Sequence, residues 1–183
     1  MTTGEPRAAG TPSSQGSPFW RFSLRFYRQP QVADACIALQ EQAGVDVNLL
    51  LFLLWHASRK RAFSTAEVEA LERRVGPWRH MTVVPLRALR RALKAPPALV
   101  EAGTAEAFRT RIKAVELEAE RLQQEAMYQL ARAAPLGTEA ASPEAAARAN
   151  IAAYQTMCSA AFPTPAIETL LTAFARLEHK SEE

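Results

Sequence analysis

Residues 44–57 read GVDVNLLLFLLWHA. After Asp46 and Asn48, seven apolar side chains follow without a break, from Leu49 to Trp55. A helix that is apolar on every side belongs in the centre of a bundle, not on its surface. Asp46 is placed to cap it, its carboxylate accepting from free N–H groups of the first turn. Asn48 is a first-turn residue that can help satisfy the same groups. The spacing predicts a helix over residues 47–61. The run is far too short to span a bilayer, so other helices must wrap around it.

Those neighbours are legible on both sides. Toward the N-terminus, residues 19–29 read as a short helix directly after Pro18, and Pro30 opens a second that Gly44 closes. Toward the C-terminus, Ser64 and Glu67 form a capping box for a helix carrying Val68, Leu71 and Val75, which Gly76 and Pro77 are expected to stop. A fifth helix is predicted from near Thr82, with Pro85 in its first turn, Val83, Leu86, Leu89 and Leu93 facing inward, and Pro96 and Pro97 ending it. Residues 104–133 read as one long helix. Its Phe108, Ile112, Val115, Ala119, Leu122 and Ala126 alternate steps of four and three, a heptad-like seam for the bundle or for a second copy of the chain. Ser142–Pro143 and Thr164–Pro165 open two more helices. No stretch alternates convincingly as a strand. The fold class is therefore all-α: an irregular bundle of about eight helices around residues 47–61.

Composition agrees. The chain has 183 residues, a length that suits one domain. It holds 36 alanines against 7 glycines, a balance that favours helix. Residues 1–18, with Gly4, Gly10, Gly16, Pro6, Pro12 and Pro18, read as a disordered polar tail. Residues 19–183 read as a single helical domain. The tail contains no apolar stretch of the kind that marks a secretory signal. Cys36 and Cys158 are too few for a disulfide framework, and a cytoplasmic setting is expected.

Charge divides the domain. Residues 19–100 carry a net +7 and residues 101–183 a net −4. Arg73, Arg74, Arg79, Arg87, Arg90, Arg91 and Lys94 fall in one stretch, 73–100, that contains no acid. Arg87, Arg91 and Lys94 share a helix face. Three readings suit such a face. It contacts an acidic partner or a second copy; it binds nucleic acid; or it meets the chain's own acidic half, where Glu116, Glu118, Glu120 and Glu125 crowd the long helix. For nucleic acid, the turn over 76–81 is long for a helix-turn-helix, and the fifth helix has no Asn or Gln to read bases.

Chemistry is sparse. Phe19, Trp20, Phe22, Phe26 and Tyr27 lie opposite Arg21, Arg25 and Arg28 on the first helix. That pattern suits a membrane interface, but packing onto the apolar central helix is the favoured reading. His56, His80 and His179 are too far apart in sequence to suggest a metal site. Asp34 and Glu41 share a face without further support for acid–base work. No phosphate loop, dinucleotide fingerprint, zinc-protease motif or nucleophile elbow occurs. No catalytic residue, cofactor or metal is therefore expected. If a ligand pocket lies between the helices, Tyr27, Cys36, Trp55 and His56 are its first candidates.

The stretch FWRFSLRFYRQPQVADACIALQEQAGVDVNLLLFLLW, residues 19–55, resembles a proteobacterial family of small helical proteins classed as a domain of unknown function. The aromatic FWRFSLRFY start, the helix ending in LQ and the GVDVNLLLFLLW block carry the resemblance. It extends through VVPLRALRRALK at 83–94, fades over the acidic half and leaves out the tail. It implies a bacterial cytoplasmic protein and no particular activity. From the residues themselves, the leading expectation is a non-catalytic interaction or regulatory role through the basic face. Nucleic-acid binding there, or a small ligand held between helices by an enzyme or carrier, are the alternatives.

Overall fold

The computed structural model describes residues 16–182. In chain order its helices are α1 (Pro18–Tyr27), α2 (Val32–Ala43), α3 (Val47–Ala57), α4 (Thr65–Trp78), α5 (Val84–Ala92), α6 (Ala102–Ala133), α7 (Pro143–Cys158) and α8 (Thr164–Glu182). A π-helical turn, Arg79–Val83, joins α4 to α5 without a break, so the eight segments make seven separate helices. A two-residue antiparallel ladder pairs β1 (Arg61–Ala62) with β2 (Thr138–Glu139). Among the described residues no helix is long and apolar enough to cross a membrane.

The expected central helix is central. Every residue of α3 from Asn48 to Ala57 is buried. A helix of 11 residues is marginal alone in water, and burial holds it: each large apolar side chain removed from water contributes roughly 2 kcal/mol. α7 lies along α3, α2 packs on α8, and α1 and α6 close the remaining sides. Phe19, Phe22 and Phe26 of α1 are buried. The Phe19 ring meets Phe52 edge-on at 5.2 Å and Trp55 at 5.5 Å. Arg21, Arg25 and Arg28 stay outside. The phenylalanines of the aromatic face thus pack onto the core, while Trp20 is half-buried and Tyr27 exposed.

Several features differ from expectation, among them the start of α2, which is Val32 and not Pro30. α3 ends at Ala57, not at residue 61; Lys60 takes a left-handed φ of 56°, and the next two residues turn into β1. Asn150, fully buried on α7, explains the stop: its Oδ1 accepts from the Phe63 N–H at 2.7 Å, while its Nδ2 donates to the Leu53 and Arg61 carbonyls at 2.9 and 3.0 Å. One side chain serves three backbone groups, two of which, the Phe63 N–H and the Arg61 carbonyl, lie beyond the end of α3. Asn150→Ala is expected to cost about 2–4 kcal/mol in urea unfolding, because those two groups would lose their partner; a loss below about 1 kcal/mol would contradict the assignment.

Another difference lies at Gly76–Pro77, where the helix continues. The Ser64–Glu67 capping box is present as expected. Arg79 reaches back across the Gly–Pro step to Glu72, its Nη1 donating to Oε2 at 2.9 Å, and the Trp78 indole N–H donates to the Ala119 carbonyl at 3.0 Å. Pro85 accounts for the π turn. It has no N–H for the Met81 carbonyl, and its ring would collide with that carbonyl in a regular helix. Widening the preceding turn relieves both, and the Val84 N–H bonds to the Arg79 carbonyl instead.

A further one concerns the long helix. α6 leaves Phe108, Val115 and Leu122 exposed and packs inward through Glu116, Ala119, Gln123, Gln124 and Met127. Only part of the expected seam faces the bundle. At the other end of the chain, Ser17 and Pro18, read as tail, start α1: the Ser17 hydroxyl accepts from the Trp20 N–H, and the Ser17 N–H donates to Glu125 at 2.8 Å. Residues 1–15 of the expected tail lie outside the described residues.

Candidate functional site

The N-terminus of α3 opens into a cleft of about 580 Å³. Trp20, Ser23, Leu24 and Tyr27 of α1 form one wall, and Ile37 and Gln40 of α2 a second. Arg79, His80, Val83, Val84, Arg87, Ala88 and Arg91 of the π turn and α5 form a third, and Leu117, Glu120 and Gln124 of α6 a fourth. The floor is Gly44 to Asn48 with Leu51. π turns recur at functional sites because they re-aim side chains that a regular helix would point elsewhere; here the turn itself lines the cleft.

Beneath the floor runs a directed chain of side-chain amides. Asp46 caps α3, its Oδ1 accepting from the Asn48 N–H at 2.9 Å. Its other oxygen, Oδ2, accepts from Gln123 Nε2 at 2.7 Å and from Arg79 Nη1 at 2.7 Å. A carboxylate only accepts, so Gln123 must turn its NH₂ toward Asp46 and its oxygen away. That oxygen takes the Asn48 NH₂ at 3.4 Å, and the Asn48 oxygen takes the Gln124 NH₂ at 2.7 Å. Each amide fixes the next, and aligned dipoles polarise one another. The chain ends at Gln124 Oε1, a buried acceptor with no hydrogen-bond partner among the described residues. Gln124 is only 3% exposed. Ser23 Oγ, on the α1 wall, is also buried and unpartnered among the described residues.

The basic residues are drawn into this architecture. Arg87 donates to Glu116 at 3.0 Å, to Glu120 at 2.6 Å and to Gln40 at 2.5 Å. Arg90 grips the two oxygens of Glu116 at 2.5 and 3.2 Å. Arg79 bridges Asp46 and Glu72, and its guanidinium is held more firmly protonated than usual, chiefly by the Glu72 hydrogen bond. Burial works against charge on Glu116, but hydrogen bonds from Arg90 and Arg87 outweigh it and hold the carboxyl below its ordinary range. Glu120 goes the other way. Burial raises its pKa, and the Arg87 charge offsets this only in part. Arg91 pairs with Glu41 at 3.0 Å where both are half-exposed, and Arg73 with Glu69 at 3.9 Å on the outer face of α4. Arg74 and Lys94 are exposed. The basic stretch therefore meets the acidic helix within the chain at Arg87 and Arg90, and leaves Arg74, Arg91 and Lys94 toward solvent.

Of the four pocket candidates, Tyr27 lines the cleft. Burial, then the nearby Cys36 and Glu120, raises its pKa. Cys36 is fully buried on α2, and burial pushes its thiol up to about 12, which leaves it unreactive at neutral pH. Trp55 and His56 sit at the far end of α3. There the His56 ring meets Phe52 at 4.6 Å, Trp55 at 4.9 Å and Phe63 at 5.1 Å. The residues that do build the cleft, Ser23, Gln40, Glu120 and Gln124 among them, carry a weak sequence signal. Gln123 stands four residues from both Ala119 and Met127, so a polar pair interrupts the stripe that a buried helix face requires.

Outward, the cleft continues between α5 and α6 as a shallower groove of about 960 Å³. Arg87, Arg90, Arg91, Lys94 and Lys113 line it against Glu41, Glu116 and Glu120, a surplus of two positive charges. Every residue lining the cleft and the groove falls between Trp20 and Gln124. No curated protein and no solved structure matches the chain. A family model covers residues 18–127, well past the resemblance seen around 83–94 and over every wall of the cleft. The chain belongs to the family described as Protein of unknown function (DUF2390).

Proposed function

We propose that the protein binds a small organic ligand in the cleft between α1, α2, α5 and α6. Gln124 Oε1 carries this reading. A buried acceptor left without a donor costs about 1–3 kcal/mol. The three polar side chains leading up to it fix its orientation, so it cannot flip to escape. A ligand that brings a donor recovers that cost, and apolar walls with a few convergent polar groups are the usual make-up of a binding pocket.

The test is native mass spectrometry of protein isolated from its own cells, beside the variant Ala88→Trp. Ala88 is exposed on the cleft wall, so the indole fills the cleft without entering the core. Wild type is expected to carry a small adduct and the variant none, at equal thermal stability. An adduct of equal occupancy in both, or none in either, would count against the cleft.

A second reading, docking of an acidic protein or a second copy, is supported by the exposed Arg74, Arg91 and Lys94. Nucleic-acid binding has less behind it, since Arg79, Arg87 and Arg90 already face carboxylates. Two free cysteines fit the cytoplasmic setting we infer.

A further inference from the structure

We propose that the ligand is an amphiphilic organic anion, its N–H or O–H head at Gln124, its apolar body on Leu24, Ile37 and Leu117, and its anionic end at Lys94 and Lys113. This rests on the cleft being a binding site, and it adds the ligand's chemistry and polarity.

Three observations support it. The inner end suits a donor, because the amide chain from Asp46 terminates in the Gln124 acceptor, on a side chain that lines the cleft. The middle is apolar: Leu24, Ile37 and Leu117 are all partly exposed there. The outer end is cationic, and its surplus is local. Arg87 and Arg90 are matched by Glu116 and Glu120, and Arg91 by Glu41, which leaves Lys94 and Lys113 as the cations of the groove lining that no carboxylate among the described residues pairs. The inner and outer spaces are continuous, since both are lined by Tyr27, Ile37, Arg87 and Leu117. Along α6, Gln124 in the cleft and Lys113 at the groove are eleven residues apart, about 16 Å. That distance sets the length of the body between head and anion.

The probes are 12-hydroxydodecanoate, which carries an O–H head and a carboxylate at opposite ends of an apolar chain, and its methyl ester, the same chain without the charge. Calorimetric titrations at low salt compare the two on the full chain. The carboxylate probe is expected to bind one per chain and about tenfold more tightly than the neutral one, in line with a charge-assisted contact. Lys94→Glu combined with Lys113→Glu should erase that preference and leave neutral-probe binding alone. Gln124→Leu should weaken both probes alike. Both lysines are exposed, so the double variant retains the fold.

The outcomes separate cleanly. Equal affinity for the two probes, unmoved by the lysine reversal but lost in Ala88→Trp, overturns the anionic end while the cleft stands. Binding of either probe that survives Ala88→Trp places it elsewhere and overturns this assignment. No binding of either probe overturns it together with the cleft reading.

Discussion

Asp46→Ala is expected to destabilise the protein by about 3–5 kcal/mol, the range for removing one partner from a buried ion pair. The carboxylate serves three donors at once: the Asn48 N–H that starts α3, the Gln123 amide and the Arg79 guanidinium. The cap alone is worth about 1 kcal/mol. The larger part comes from Arg79, whose side chain is 16% exposed and would keep Glu72 as its only carboxylate. The Asp46 N–H, which donates to the Tyr154 hydroxyl at 2.9 Å, is untouched by the change, so the loss reports the side chain. Asp46→Asn retains an acceptor oxygen and should lose less. It should also loosen the orientation of the amide chain, since an amide can present either end. Thermal unfolding of the three proteins decides the matter, and a loss below about 1 kcal/mol for Asp46→Ala would show that the network carries little of the stability.

The second large effect is a loss of stability in mild acid. Burial, with the Arg59 and Arg61 charges adding to it, lowers the His56 pKa from 6.5 to about 4. Among the described residues neither ring nitrogen has a hydrogen-bond partner. Between those two values the unfolded chain takes up a proton that the folded one refuses, so stability must fall as pH drops from about 6.5 to about 4. The gap corresponds to roughly 3 kcal/mol. Glu116, held below its ordinary range, also loses its contribution as pH falls. Glu120, held above its range, acts in the opposite sense and gains as pH falls. The difference between wild type and His56→Leu isolates the imidazole from both carboxyls. From pH 7 to pH 4.5 that difference should shift by roughly 2–3 kcal/mol in favour of the leucine variant. Parallel pH profiles for the two proteins would remove His56 as the cause.

The sequence made the fold legible where one physical rule acted alone. The unbroken apolar run could only be central, and the Ser64–Glu67 box and the Ser142–Pro143 start stand where capping chemistry puts them. It misled where tertiary contacts overrode a local signal. Gly76–Pro77 is a strong stop, yet Glu72, Arg79 and the Trp78–Ala119 bond hold the helix through it. The apolar steps of four and three on α6 pointed to a seam, yet the inward face includes Glu116, Gln123 and Gln124, because Arg87, Arg90 and the α3 cap supply their partners. That exchange also hid the site. Polar residues on a buried face read as surface until the groups that satisfy them, far off in the chain, are known. Tyr27 was recoverable from its helix face, but Gln124 needed Asn48 beside it.

The widened turn at Arg79–Val83 sets a phase. Each residue of an α-helix advances it by about 100°, so one residue taken out of that turn would re-index everything after it by that angle. Arg87 and Arg90 would swing away from Glu116 and Glu120, with composition all but unchanged and the upstream helix intact. A length change of a single codon could thus convert an internally neutralised helix pair into an openly basic surface facing an openly acidic one. In this architecture, which charges the surroundings meet is written in the count of residues before α5 as much as in their identity.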